Sequence, residues 1–332
     1  MGTGWLLASC MEARGKQDLW TRQKPEVLRA LREQSIVQSV ESSNRIEGVT
    51  VSPDRLLPVV LGRAKPRDRS EEELAGYRRA LDWIFSRKRP PALSPELVRK
   101  LHALAQSGSV GDAGDWKKRD NQIIELPPTG EPRVRFVPTS ARATPAAMDR
   151  LCRNYAEACR AETVPPLLIV ATFVFDFLCI HPFRDGNGRV ARLVTLLLLY
   201  HLGYEVGRYI SLERLIEDSK ATYYDSLALS DVNWVEGRHD HVPFTEYLLG
   251  IVLAAYRELE DNTAHDLDHG ARGRMVERAV EALPVQFRLA DVEKHCPLVG
   301  RDTIRTALAK LKKDGKITSE GRGRAASWRR LV

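Results

Sequence analysis

Within twelve consecutive residues, His181-Pro182-Phe183-Arg184-Asp185-Gly186-Asn187-Gly188-Arg189-Val190-Ala191-Arg192, the chain gathers a base, a carboxylate, a glycine-rich turn and arginines. A histidine has an unperturbed pKa of about 6.5, so His181 can take a proton from an attacking hydroxyl. Gly186 and Gly188 permit backbone angles that turn successive N–H groups toward one point. With a helix N-terminus immediately behind them they make an anion site that suits a phosphate chain. Arg189 and Arg192, three residues apart, are neighbours on the first turn of that helix, and guanidinium forks match phosphate oxygens. Asp185 can hold Mg²⁺, which usually takes one or two carboxylates together with phosphate oxygens.

The elements that must position this loop are the most apolar in the chain. Pro166 to Ile180 and Val190 to Leu202 flank it. Each is too short to cross a bilayer, and charged residues lie between or within them, so they read as buried core helices. Elsewhere the pattern is mostly helical. Val27, Leu28, Leu31, Ile36, Val37 and Val40 recur at helical spacing from Pro25 to Ile46, which predicts a helix ending near Glu47 with Gly48 as its C-terminal cap. Further helices are expected over 71–86, 94–106 and 145–162, the last two capped by Ser94 and Thr144. One interruption, Trp116 to Pro138, holds β-formers around Ile123, Ile124, Val134 and Phe136 about a Pro127-Pro128-Thr129-Gly130 turn, and reads as a hairpin.

The loop matches H-x-F-x-[D/E]-G-N-G-R-x-x-R at every defined position, and so resembles the signature of the Fic family. The resemblance implies a mainly α fold, a Fic-type helical bundle with a small β-hairpin flap. It also implies transfer of AMP from ATP to a Ser, Thr or Tyr hydroxyl of a protein, the chain itself included, with release of pyrophosphate. Carried onto these positions, His181 is the general base, Phe183 anchors the loop, and Asp185 holds Mg²⁺. Gly186, Asn187 and Gly188 bind phosphates, and Arg189 and Arg192 bind the outer ones. The stretch Gly114 to Ile124 resembles the family's flap, whose Gln122, Ile123 and Ile124 would hold a target segment by strand addition. Tyr223 and Tyr224, following Lys220, would border the adenine.

Ser43-Asn44-Arg45-Ile46-Glu47-Gly48 matches the same family's inhibitory pattern, [S/T]-x-x-x-E-[G/N]. Ser43 and Glu47 are i,i+4 on one helical face, so a docked helix end can aim Glu47 at Arg192 and anchor through Ser43. A carboxylate there would occupy the arginine that the γ-phosphate needs. Some relatives with such a glutamate also remove AMP, and dimerisation that masks or releases Glu47 is a further expectation.

At 332 residues, 43% hydrophobic and 29% charged, the sequence belongs to a globular protein of two or three domains. Five scattered cysteines without CxxC spacing argue against a disulfide framework or a zinc site, and a cytoplasmic location without membrane attachment is expected. The organisation read from the pattern is an N-terminal helical region over 1–100 carrying the inhibitory helix (about 25–48), a catalytic core over 101–258, a polar linker over 259–272 and a module over 273–332. That module has helices over 275–283, 289–295 and 301–314 and two short closing strands, and it resembles a winged helix-turn-helix domain. The net charge of +7 is concentrated there. Arg301 and Arg305 on its third helix, with Arg322 and Arg324 in the wing, are candidates for DNA contact. Two other functions remain alongside AMP transfer: a DNA-binding regulator that senses nucleotide without transferring it, and a Fic enzyme using another donor or removing AMP.

Overall fold

A computed structural model of the chain describes residues 2–21, 25–87, 91–106, 112–125, 130–264, 271–296, 299–320 and 327–331. Among them are fourteen α-helices and two small antiparallel sheets. The N-terminal region holds α1 (Thr3–Thr21), α2 (Pro25–Ile46), α3 (Pro53–Val60), α4 (Arg69–Phe85) and α5 (Pro95–Gln106). Two short strands follow, β1 (Ile123–Glu125) and β2 (Arg133–Phe136), and then α6 (Thr144–Ala161). The centre is α7 (Pro166–Ile180) and α8 (Asn187–His201), and α9 (Leu212–Asp218), α10 (Lys220–Ser230) and α11 (Val242–Ala264) close the bundle.

Both flanks of the signature loop are helices buried nearly all round, as the density of apolar residues in them requires. Their Phe173, Phe175, Phe177 and Leu193 to Leu199 make the middle of the core, and no helix among the described residues is long and apolar enough to cross a membrane. Around this pair the other helices fasten through buried polar contacts. In α1, Gln17 accepts a hydrogen bond from the Tyr256 hydroxyl of α11 (2.7 Å). In α2, Ser39 meets Ser211 (2.9 Å) and Glu213 (2.7 Å) at the start of α9. Asp68 caps α4 by accepting from the Glu71 N–H (2.9 Å), and Ser94 caps α5 through the Leu97 N–H (3.2 Å).

Thr144 is not the cap expected of it. It is the first residue of α6, preceded by Ala143, and its hydroxyl donates back to the Ser140 carbonyl (2.8 Å). A proline at position 145 stands in the first turn, where a missing N–H costs nothing. The polar stretch from 259 also begins differently from its reading as linker: α11 runs on through Ala264, because Leu259 and Thr263 continue its buried face. Residues 265–270 of that stretch lie outside the described residues.

The hairpin pairs Ile123 with Phe136, Ile124 with Val134 and Glu125 with Arg133, with a register shift after Ile123. Pro127, Pro128 and Thr129 of its turn are outside the described residues. The C-terminal module follows as α12 (Ala271–Ala282), β3 (Gln286–Arg288), α13 (Leu289–His295), α14 (Arg301–Lys313), β4 (Ile317–Glu320) and β5 (Ser327–Arg330). Its strand order is β3-β5-β4, and Val276, Phe287, Val292, Ile304 and Leu308 are buried in its interior. The strand β3 adds a third member to the two closing strands read from the sequence.

Candidate active site

The signature loop begins where α7 stops. His181 caps that helix in the left-handed region (φ 51°), its N–H on the Phe177 carbonyl (2.9 Å). A non-glycine residue in that region is strained, and such strain gathers at functional sites. The ring Nδ1 lies 3.2 Å from the Leu178 carbonyl. A carbonyl can only accept, so Nδ1 carries the hydrogen and Nε2 keeps its lone pair. Burial pushes the His181 pKa down to about 4, Lys117 nearby adds to the depression, and the ring is neutral at physiological pH.

The rest of the loop is locked by a few contacts. Phe183 is fully buried, stacked on His102 with centroids 3.8 Å apart and tilted against Trp116 at 5.0 Å. Asn187 closes a two-way clamp with the Phe183 backbone, accepting from its N–H and donating to its carbonyl, each at 2.8 Å. Gly186 has φ +77°, and a Cβ on it would meet the Gln106 amide nitrogen at 2.3 Å, so conformation and space both require glycine. Asp185 is half-exposed. One of its oxygens accepts from the Gly186 N–H (2.6 Å), and the other pairs with the exposed Arg69 at 3.2 Å. A carboxylate so placed at the loop fits a hard cation beside bound phosphate.

The two arginines part company. The Arg189 guanidinium is buried against Glu73 and Asn44 and does not line the cavity. Arg192 does line it. Its Nε donates to the Ser43 hydroxyl (2.8 Å), and its Nη2 donates to the Ser43 carbonyl (2.9 Å) and to Glu47 Oε1 (2.8 Å). Glu47 arrives on a tight helix ending. Val49 N–H reaches the Asn44 carbonyl and Gly48 N–H the Arg45 carbonyl, with Gly48 at φ +80°, the Schellman arrangement. The Glu47 oxygen lies 2.3 Å from where a Cβ on Gly188 would stand, over the first turn of α8.

One cavity of about 430 Å³ gathers Glu47, Gln122, Ile123, Ile124, His181, Gly188, Arg192, Tyr223 and Tyr224. The loop, the helix end, the hairpin and α10 thus converge, although they are far apart in sequence. Ile124 is exposed, Tyr223 is buried, and Tyr224 is half-exposed at the rim. Phe183, Gly186 and Asn187 stand outside the lining and shape the loop from behind, and Asp185, also outside it, is half-exposed to water.

Three residues that sequence reasoning passed over complete the site. His102 accepts the Gly114 N–H at Nδ1 (2.8 Å) and donates from Nε2 to the Asp185 carbonyl (3.1 Å). Its place on the apolar face of α5, among Leu97, Val98, Leu101 and Ala105, is the signal that marks it. Buried Lys117 donates to Asn121 (2.7 Å) and to the Ile180 carbonyl (3.2 Å), and burial lowers its pKa to about 8. Glu73 is a carboxylate on the buried side of α4. In the C-terminal module, Arg301 pairs with Glu293 (3.0 Å) and shares a cavity with Arg45 and Val49 at the end of α2, Arg305 pairs with Asp302 (3.6 Å), both arginines are exposed, and Arg322 and Arg324 lie outside the described residues.

A glycine-rich turn feeding a helix N-terminus, faced by a neutral histidine and an arginine, is an arrangement that can hold an anion beside a base. Residues 92–199 match the Fic/DOC family profile. That span takes in the loop and the hairpin but neither Glu47 nor α10 and the C-terminal module. A Fido domain-containing protein of Dictyostelium discoideum is 30% identical over 103 residues, which is 31% of this chain and 64% of that protein. The fold is similar to that of a Fic family protein from Desulfovibrio desulfuricans G20, with TM-score 0.61 and 22% identity over 99% of this chain and 95% of that one. It is also similar to a Fic domain containing signaling protein from Bacteroides thetaiotaomicron VPI-5482, with TM-score 0.64 and 22% identity over 79% of this chain and 99% of that one.

Proposed function

We propose that this chain is an auto-inhibited protein adenylyltransferase that moves AMP from ATP to a Ser, Thr or Tyr hydroxyl of a protein, itself included. The observation that carries the reading is the Glu47 carboxylate seated on Arg192 and over Gly188, inside the cavity that His181 lines. A carboxylate occupies the arginine and the helix N-terminus that a terminal phosphate would use, and like charges repel.

In the active form the attacking hydroxyl gives its proton to Nε2 of His181 as its oxygen bonds to the α-phosphorus. The bond from that phosphorus to the oxygen bridging to the β-phosphate breaks, and pyrophosphate leaves. The N–H groups at the start of α8 and Arg192 hold the leaving phosphates, where donors already in place stabilise developing charge. Mg²⁺, held by Asp185 with phosphate oxygens, would neutralise part of that charge. The free edge of β1, with exposed Ile124, offers backbone groups to an extended target segment next to the cavity.

The test is incorporation of label from α-labelled ATP into protein with Mg²⁺, with UTP and CTP as alternative donors. Glu47→Gly is expected to label more strongly than the native chain, and adding His181→Ala is expected to abolish that label, since base catalysis contributes about 10²- to 10⁴-fold. Equal labelling by native chain and Glu47→Gly sinks the autoinhibitory reading.

We also propose that residues 273–332 form a winged helix-turn-helix that binds DNA through α14. The order β3, α13, α14, β4, β5, with β5 between the other two strands, and two exposed arginines on the first turns of α14 support this. Binding of duplex DNA that falls steeply with added salt is the expected result, and binding without salt dependence would contradict it.

A further inference from the structure

The last turn of α2 presents three carbonyls in succession before Glu47. Those of Asn44 and Arg45 are taken by the Val49 and Gly48 N–H groups. The third, on Ile46, accepts from the ammonium of Lys220 at 2.7 Å. The neighbouring side chain is tied to the same place. Arg45 forks onto Glu217, with Nε to Oε1 at 2.7 Å and Nη2 to Oε2 at 3.0 Å. Glu217 lies in the last turn of α9 and Lys220 opens α10. The corner between them is itself pinned, since Ser219 donates to the Leu215 carbonyl (2.7 Å) and meets the Tyr247 hydroxyl of α11 (2.9 Å).

A cation on a helix C-terminal carbonyl satisfies an acceptor with no helical partner and complements the helix dipole. Lys220 does not line the cavity, so its contact is with the inhibitory helix and not with whatever the cavity holds. It does lie over the ring of Tyr224, 5.9 Å from the centroid, and Tyr224 lines the cavity wall. We propose that Lys220 is a positioning residue for inhibition: with Glu217 it latches the end of α2, and so holds Glu47 on Arg192. This rests on the reading of Glu47 as the inhibitory group.

The experiment compares Lys220→Met and Lys220→Arg, each alone and with Glu47→Gly, by two readouts. One is self-labelling from α-labelled ATP with Mg²⁺. The other is hydrogen exchange at the amides of residues 44–51, with α7 and α8 as the folded control. Lys220→Met is expected to expose the 44–51 amides to faster exchange with the control helices unchanged. It should raise labelling about three- to tenfold, the loss of one partly exposed charged hydrogen bond. Lys220→Arg, which keeps a cationic donor, should restore both values, and Lys220→Met should add nothing once Glu47 is gone. Unchanged exchange at 44–51 in Lys220→Met overturns the latch, as does an equal rise in labelling with and without Glu47. If exchange quickens but Glu47→Gly fails to raise labelling, the latch stands and it is the inhibitory reading that fails.

Discussion

Arg189 and Arg192 rise from the same end of α8, yet each meets a different kind of partner. Arg189 and Glu73 are 2% and 3% exposed, with Asn44 buried beside them, and only the outlying partners, Arg69 on Glu73 and Asp185 at 3.8 Å from Arg189, reach water. On the α2 side Arg192 is equally buried at 4%, but Glu47, its carboxylate, is 30% exposed and opens on the cavity. A charge pair closed off from water belongs to the fold, because neither partner can leave without stranding the other. A pair with one partner at the water's edge can be exchanged for a different anion. On the proposed reading, one side of the loop is scaffold and the other a replaceable lid.

The strongest way to break this contrast is to cut the sealed side. Glu73→Ala is expected to cost about 3–5 kcal/mol of stability, the usual penalty for leaving one member of a buried pair uncompensated, read from urea unfolding. A loss below about 1 kcal/mol would mean that Arg189 finds water or another partner, and the two sides would no longer differ.

Acid probes the scaffold next. The neutral His102 ring satisfies both its partners, whereas a protonated ring would set a second N–H against the Gly114 N–H. Burial holds its pKa at about 4, as it does for His181. Unfolded histidines take up protons as pH falls through about 6.5, and the folded ones resist until about 4. The unfolded chain therefore binds more protons in that window, and stability falls as pH drops from about 6.5 toward 4. For His102 alone the fall is of order 3 kcal/mol, so His102→Gln should show a visibly shallower acid loss than the native chain. An identical acid loss in the two proteins would remove His102 from the scaffold.

The lid should give way at smaller cost. Glu47→Gly is expected to lower stability by about 1 kcal/mol, since water replaces a partly exposed carboxylate and Ser43 still holds Arg192. A loss as large as that of Glu73→Ala would make Glu47 part of the scaffold too.

This division also explains what could be read from sequence. The loop was legible because its groups lie within one turn of chain, where glycine, histidine and arginine spacing maps directly onto geometry. Glu47 was legible through a short pattern plus i,i+4 spacing, and Gly48 through the left-handed ending that it favours. Arg189 read as a phosphate ligand because its spacing matches that of Arg192, and only the approach of Glu73 from α4 separates the two. His102, Lys117 and Lys220 escaped because their roles come from tertiary neighbours, a backbone carbonyl in each case. The helix α1 escaped for a different reason: its buried positions Cys10, Gln17 and Trp20 include a polar residue and are too sparse to make an apolar stripe.

The finest test of the lid uses the space beneath it. Gly188 has ordinary helical geometry, so alanine there should gain about 0.5–1 kcal/mol from helix propensity wherever its methyl group has room. In the native chain it has none, because the Glu47 oxygen sits 2.3 Å from the position of that methyl and Arg192 Nη1 is at 3.2 Å. The oxygen ends a flexible side chain and can swing away, but only by giving up Arg192. Gly188→Ala should therefore be nearly neutral in the native chain and stabilising by the full amount in Glu47→Gly, a coupling of about 0.5–1 kcal/mol in a double-mutant cycle. Equal effects in both backgrounds would place the Glu47 carboxylate elsewhere in solution, and the anion site at the head of α8 would stand open without it.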